Sequence, residues 1–290
     1  MNRREFVSVS AAAGAASFIA AERVHAGAPE AVRAAAAFKH SVTRWPFRQF
    51  TVDELARTAK ELKIDSVELL EPNEWPIAHR HGLTCAMGYA TVPDPGTRLT
   101  RGFNDAANHA WLVPAYERAI PLAAAAGIPN LICFSGNRDG KTDEEGLANC
   151  ASGLAKLMPA AKQHGVTICM ELLNSKVDHR DYQCDRTPWG VALARKLDSE
   201  RFKLLYDIYH MQIMEGDVIR TIRDNSKYIG HYHTAGVPGR HEIDATQELN
   251  YPAIMRAISE TGFKGYVAQE FIPTRDPRTS LAEAIQICRV

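Results

Sequence analysis

From Phe38 onward the chain alternates short apolar runs with longer segments whose apolar residues recur at helical spacing. Runs at 39–47, 67–70, 83–89, 131–135, 166–173, 202–209, 228–234 and 266–271 predict strands. Between them, Thr51-Val-Asp-Glu54 and Thr142-Asp-Glu-Glu145 are capping boxes that open helices to about 62 and 164. A short helical turn falls at 75–81, and an Ala-rich helix at 111–126 follows a loop marked by Pro93, Pro95 and Gly96. Pro188 suits a first helical turn, 218–223 and 251–259 predict two more helices, and Asp276-Pro277 caps the last, to about 287. The strand runs are apolar almost throughout, the pattern of parallel strands covered on both faces. Eight strand–helix units at about 30 residues each predict a (β/α)8 TIM barrel. The rival, a doubly wound open sheet, lacks a GxGxxG turn.

Composition sharpens this picture in three ways. A chain of 290 residues with 46% hydrophobic content suits one α/β barrel. Lys+Arg and Asp+Glu balance at 34 each, so no basic surplus points to nucleic acid. No apolar stretch past the N-terminus approaches the roughly 18 residues of a membrane span. The six cysteines contain no CxxC. They read as reduced structural thiols, with surface pairing of Cys150 or Cys184 as the alternative.

Asn2-Arg-Arg-Glu-Phe-Val7, an Ala-rich segment to Ala21 and small residues near Ala26 and Ala28 look like a twin-arginine export signal over 1–28. An Ala-rich amphipathic helix is the other reading. The signal would place the barrel, 38–290, in the periplasm or otherwise outside the cytoplasm.

The chemistry lies at the strand ends. Ile168-Cys-Met-Glu171, Leu204-Leu-Tyr-Asp207, Ile229-Gly-His-Tyr-His233 and Val267-Ala-Gln-Glu270 each finish on a metal-ligating or acid–base residue. Barrel enzymes build their sites at this rim. Three carboxylates brought together cannot all stay ionised without a cation. Glu171, Asp207, His233 and Glu270 therefore predict a divalent metal site. Oxygen-rich ligation with one imidazole favours Mn2+ or Mg2+, with Zn2+ or Co2+ as substitutes. His210, one turn beyond Asp207, is expected on a loop, where it would meet a substrate oxygen. His231 and Glu68 are expected behind the site, as supports of the ligands. Trp45 and Phe47 read as pocket wall or aromatic core.

Several segments then resemble the hydroxypyruvate isomerase family of xylose-isomerase-like barrels. They are Glu171-Leu-Leu-Asn174, Asp207-Ile-Tyr-His-Met-Gln-Ile-Met-Glu-Gly216, Pro238-Gly-Arg-His-Glu242, Leu249-Asn-Tyr-Pro252 and Glu270-Phe271. The resemblance implies a metal held by Glu171, Asp207, His233 and Glu270. It implies Glu171 and Glu270 facing each other across a substrate as proton donor and acceptor. Arg240 matches the family's arginine and would pair a substrate carboxylate, with His241 beside it. At His233 the isomerases can carry Gln, whereas the related epimerases carry His.

The expected activity is metal-dependent isomerisation of a small hydroxy-oxo acid or sugar through an enediolate. A ketose epimerase of the tagatose 3-epimerase type and a non-catalytic periplasmic sugar-acid binding protein are the alternatives. A homo-oligomer is compatible with this reading. An abasic-site endonuclease, also built on such barrels, would need more ligands and a basic face.

Overall fold

The structure, a computed structural model, describes residues 38–290. The export signal expected at 1–28 lies outside the described residues. Seven parallel strands form one sheet: β1 (Lys39–Thr43), β2 (Ser66–Glu68), β3 (Asn130–Cys133), β4 (Thr167–Glu171), β5 (Phe202–Asp207), β6 (Ile229–Thr234) and β7 (Tyr266–Gln269). They pair in the order β2-β1-β7-β6-β5-β4-β3.

The segment expected as a further strand at 83–89 closes the ring between β2 and β3 without becoming a regular strand. It makes single parallel bridges from Thr84 to Ser66, and from Gly88 to Leu70 and Leu131. Side chains replace ladder bonds in its middle. Ala86 N donates to Ser66 Oγ (2.7 Å), and Asn130 Nδ2 donates to Ala86 O (2.8 Å). Gly88 also lies against the Trp75 indole, where an added Cβ would come within 2.9 Å of the ring. The expected barrel is present, with one irregular stave held by backbone bonds at its ends and by side chains at Ala86.

The helices follow from local chemistry. Both capping boxes form, opening α1 (Val52–Glu61) at Thr51 and Glu54, and α4 (Asp143–Ala155) at Thr142 and Glu145. In α1 the buried Val52, Leu55, Ala56 and Ala59 recur at helical spacing and seat the helix on the barrel. The helices α2 (Trp75–Arg80) and α3 (His109–Ala125) lie between α1 and β3.

The helix expected to run unbroken to 164 ends at Ala155, and α5 (Met158–His164) begins afresh. Pro159 lies in the first turn of α5, where its missing N–H is tolerated; inside a continuous helix it would break the ladder. The helix α6 (Thr187–Leu197) follows β4. After β5 the chain turns directly into α7 (Ile208–Met214), so the strand expected to reach 209 stops at Asp207. Then come α8 (Val218–Asn225), α9 (Tyr251–Glu260) and α10 (Pro277–Cys288). All six cysteines are buried and unpaired. No helix among the described residues is long and apolar enough to cross a membrane.

Candidate metal and acid–base site

Strand register brings the four expected ligands together. Asp207 and His233 are register partners on β5 and β6. Glu171 closes β4, and Glu270 follows β7, with its N–H donating to Thr234 O (2.9 Å). One ligand atom from each of Glu171, Asp207, His233 and Glu270 lies within 4.8 Å of all the others. Nδ1 of His233 is 2.8 Å from Glu270 Oε2 and 3.5 Å from Glu171 Oε1, so the two glutamates flank it.

Each ligand is aimed by a second contact. Asp207 uses Oδ1 to cap α7, accepting from Tyr209 N (2.9 Å) and His210 N (3.3 Å), which leaves Oδ2 for the cluster. Trp45 Nε1–H donates to Glu270 Oε1 at 2.7 Å, which turns Oε2 to the cluster in the same way. Nε2 of His233 lies 2.9 Å from Glu68 Oε1. Against its own burial, Glu270, Glu171 and Glu68 raise His233 well above the usual imidazole range, so Nδ1–H donates to Glu270. A cation would take that proton's place while the Glu68 contact holds Nε2–H. Nε2 of His231 reaches the same Glu68 oxygen at 2.8 Å. Burial alone would raise the Glu68 carboxyl, but His231 and His233 bring it down to about 2.

The protein's own charges only partly satisfy this cluster. Burial pushes Asp207 up to about 7 despite Arg240, and burial raises Glu171, reinforced by Glu270. Against its own burial, Glu270 is held low by His233 and Arg240. Three buried carboxylates, two of them pushed toward protonation, and an imidazole whose Nδ1 proton a cation would displace fit a hard divalent cation.

The residues expected at the substrate are sorted by the backbone. His210 lies in α7, fully buried, rather than on an exposed loop. Asn174 N donates to its Nδ1 (3.1 Å), its Nε2 faces the Arg240 guanidinium, and burial keeps the ring neutral. Arg240 adopts a left-handed backbone (φ 61) after Gly239 (φ 92). Its guanidinium meets Asp207 Oδ2 (3.0 Å) and Glu270 Oε2, between the rings of Trp45 and Tyr209. It thus serves as the cluster's internal counter-charge.

The same turn sends His241 outward. That side chain is exposed and lies outside the cavity lining, with Nδ1 3.0 Å from Ile272 O. The structure therefore does not bring it to the substrate space.

Sequence reasoning passed over Glu242, two residues further. Its carboxylate accepts from Thr274 N (2.9 Å), Arg275 N (3.2 Å), Ser280 Oγ (2.9 Å) and Thr274 Oγ1 (2.9 Å), tying the Arg240 turn to the start of α10. Burial would raise this carboxyl, but these hydrogen bonds and its own backbone N–H lower it to about 2. Since the unfolded value is near 4.3, this group stabilises the fold fully above about pH 4.3, by about 3 kcal/mol, and loses that contribution as pH falls toward 2. Urea unfolding of Glu242→Gln against the parent is expected to show a deficit of about 2–3 kcal/mol at pH 7 that shrinks by pH 2.5. An equal deficit at both pH values would contradict this origin.

Glu171, Glu270, His210 and Arg240 line a cavity of about 570 Å³, with Trp45, Tyr89, Asp178, His179 and Tyr209 among its other walls. Tyr209 OH donates to Asp178 Oδ2 (2.8 Å), as does Asn174 Nδ2 (2.6 Å).

Known proteins share this framework. Residues 31–289 match the family described as xylose isomerase-like TIM barrel. The chain is 28% identical over 264 residues to the putative hydroxypyruvate isomerase of Homo sapiens, covering 86% of each. It is 36% identical over 126 residues to a 2-oxo-tetronate isomerase of Cupriavidus necator, covering 43% of this chain and 48% of that one. Among solved structures, an AP endonuclease, family 2, from Brucella melitensis superposes with a TM-score of 0.76 at 23% identity, covering 86% and 99%. That last likeness is one of fold.

Proposed function

The chain belongs to the xylose isomerase-like TIM barrel family, and from that premise we propose that it is a divalent-metal-dependent isomerase acting on an α-hydroxycarbonyl substrate, a small hydroxy-oxo acid or sugar. The observation that carries this reading is the pair Glu171 and Glu270, flanking His233 Nδ1 at the floor of the cavity. A binding protein needs no such pair of carboxylates, and the named relatives are isomerases.

Glu171, Asp207, His233 and Glu270 would hold the cation, Mn2+ or Mg2+ by their oxygen-rich chemistry. A divalent ion there supplies positive charge that stabilises an enediolate. One of the two glutamates removes the proton α to the carbonyl, and a carboxylate of the pair returns it. Return to the adjacent carbon isomerises the substrate; return to the opposite face of the same carbon epimerises it. His210, with Nδ1 accepting from Asn174 N, presents Nε2 beside the Arg240 guanidinium, where the two side chains would meet a substrate oxygen. Residues 1–28 would carry the protein out through the twin-arginine pathway. Fusing that segment to a reporter active only outside the cytoplasm tests this, and a silent reporter would refute it.

The direct test of activity is α-proton exchange of hydroxypyruvate and free ketoses in D2O. Protein loaded with Mn2+ incorporates deuterium, and protein stripped by a chelator exchanges at least about a hundredfold more slowly until the ion is restored. Exchange that survives stripping would remove the metal from the account. No exchange with any substrate of this class would favour the binding protein.

A further inference from the structure

The cavity is too large and too apolar for the reacting group alone. At about 30 Å³ per water, 570 Å³ holds about nineteen waters. A three-carbon hydroxy-oxo acid, with about seven heavy atoms, displaces about 200 Å³ on that scale and leaves room for about a dozen more. Its lining sets Glu171, Glu270, Asp178 and His179 beside apolar Leu69, Leu99, Phe134, Leu173, Val177 and Ile272.

Two further observations mark that wall as built to receive something. Among the described residues, four large hydrophobic side chains are exposed, and two of them, Val177 (63%) and Ile272 (38%), line this cavity. Apolar side chains left in water favour a ligand that covers them. Leu69 takes a left-handed backbone (φ 56), a region that residues other than glycine rarely enter, and it too lines the cavity.

The cavity's cations are also already engaged. Arg98 pairs with Glu71 at 2.7 Å and lies over the Tyr89 ring, and Arg240 pairs with Asp207 and Glu270. No lysine lines the cavity. A cation held by Asp207 and Glu270 would release Arg240 to the substrate's head, and the apolar wall then sets the other end.

We propose that the substrate is an α-hydroxycarbonyl compound bearing an apolar or aromatic substituent of about a dozen heavy atoms, seated against Leu69, Leu99, Phe134, Val177 and Ile272. The proposal rests on the isomerase or epimerase reading of the same site and narrows its substrate class. It separates the two ends of the ligand: the hydroxycarbonyl head meets the glutamates, and the substituent covers the apolar wall.

Two probes with one head test it: dihydroxyacetone and its mono-benzyl ether. The expected kcat/KM for deuterium exchange, with Mn2+ present, is at least tenfold higher for the benzyl ether. The double variant Val177→Asp/Ile272→Asp changes exposed positions that the fold tolerates, and it should bring the ratio of the two probes close to one. Calorimetric binding to the Mn2+-loaded protein is the second arm. If neither probe exchanges yet the ether binds tenfold tighter, the apolar subsite stands and the acid–base reading fails. Equal exchange of both probes, or a preference for hydroxypyruvate over the ether, overturns the proposed substrate class and leaves the acid–base reading intact.

Discussion

Glu270→Gln and Glu171→Gln each lower α-proton exchange by about a thousandfold or more, the scale at which positioned acids and bases act. Both substitutions keep the shape of the side chain. At position 270 the amide oxygen can still accept from Trp45 Nε1, so the geometry on that side survives. What is lost is the second oxygen, now an amide nitrogen facing His233 and Arg240, and with it the capacity to carry a proton. Manganese binding, measured on each variant, separates lost ligation from lost acid–base chemistry. Asp207→Asn is the comparison, because Asp207 ligates without flanking His233 Nδ1. Near-parental exchange in either glutamate variant would remove that residue from the proton path.

Glu68→Gln is expected to weaken Mn2+ binding about 10–100-fold, although Glu68 stands outside the proposed four-residue site. One carboxylate oxygen receives Nε2 of both His231 and His233 in a site with no solvent access. An amide oxygen holds these donors more weakly. A rotated amide would present N–H groups to them and favour the His233 tautomer with its proton on Nδ1, where the cation's lone pair is needed. Glu68→Ala goes further, leaving buried imidazole donors with no partner, at a cost of about 3–5 kcal/mol in unfolding free energy. Calorimetric titration with Mn2+ and thermal unfolding measure the two effects. Unchanged metal affinity in Glu68→Gln would show that the ring needs no such support.

The same contacts explain what was legible in the chain. Runs of buried residues ending on Glu171, Asp207, His233 and Glu270 are unusual because burial disfavours charge, and parallel pairing converts similar strand ends into neighbours. That logic is local, so the barrel and the four-residue cluster could be read from spacing. The Glu68 oxygen shared by two histidines could not, since it joins residues 163 and 165 positions apart. Asp207 acts as helix cap as well as cluster member, and only the tight passage from β5 to α7 reveals this.

The divergent paths of Arg240 and His241 depend on left-handed backbone at Gly239 and Arg240. The quoted Pro-Gly-Arg-His-Glu segment carried that turn, and Glu242 anchors it, but residue type alone does not give side-chain direction. The segment 83–89 shows a different limit. Its apolar pattern is strand-like, yet Ser66 and Asn130 capture the backbone groups that a regular ladder would use. Pro159 sits in the first turn of α5, just past the break after α4, but proline alone does not fix such a boundary, since α3 runs on through Pro114 and Pro121.

Crystals soaked in Mn2+ and measured at the manganese absorption edge address the central claim directly. One anomalous peak is expected, within about 2.0–2.4 Å of oxygens from Glu171, Asp207 and Glu270 and of His233 Nδ1. Fully soaked crystals with no peak among these four side chains, or with a peak elsewhere and Arg240 still seated on Asp207 and Glu270, would contradict it.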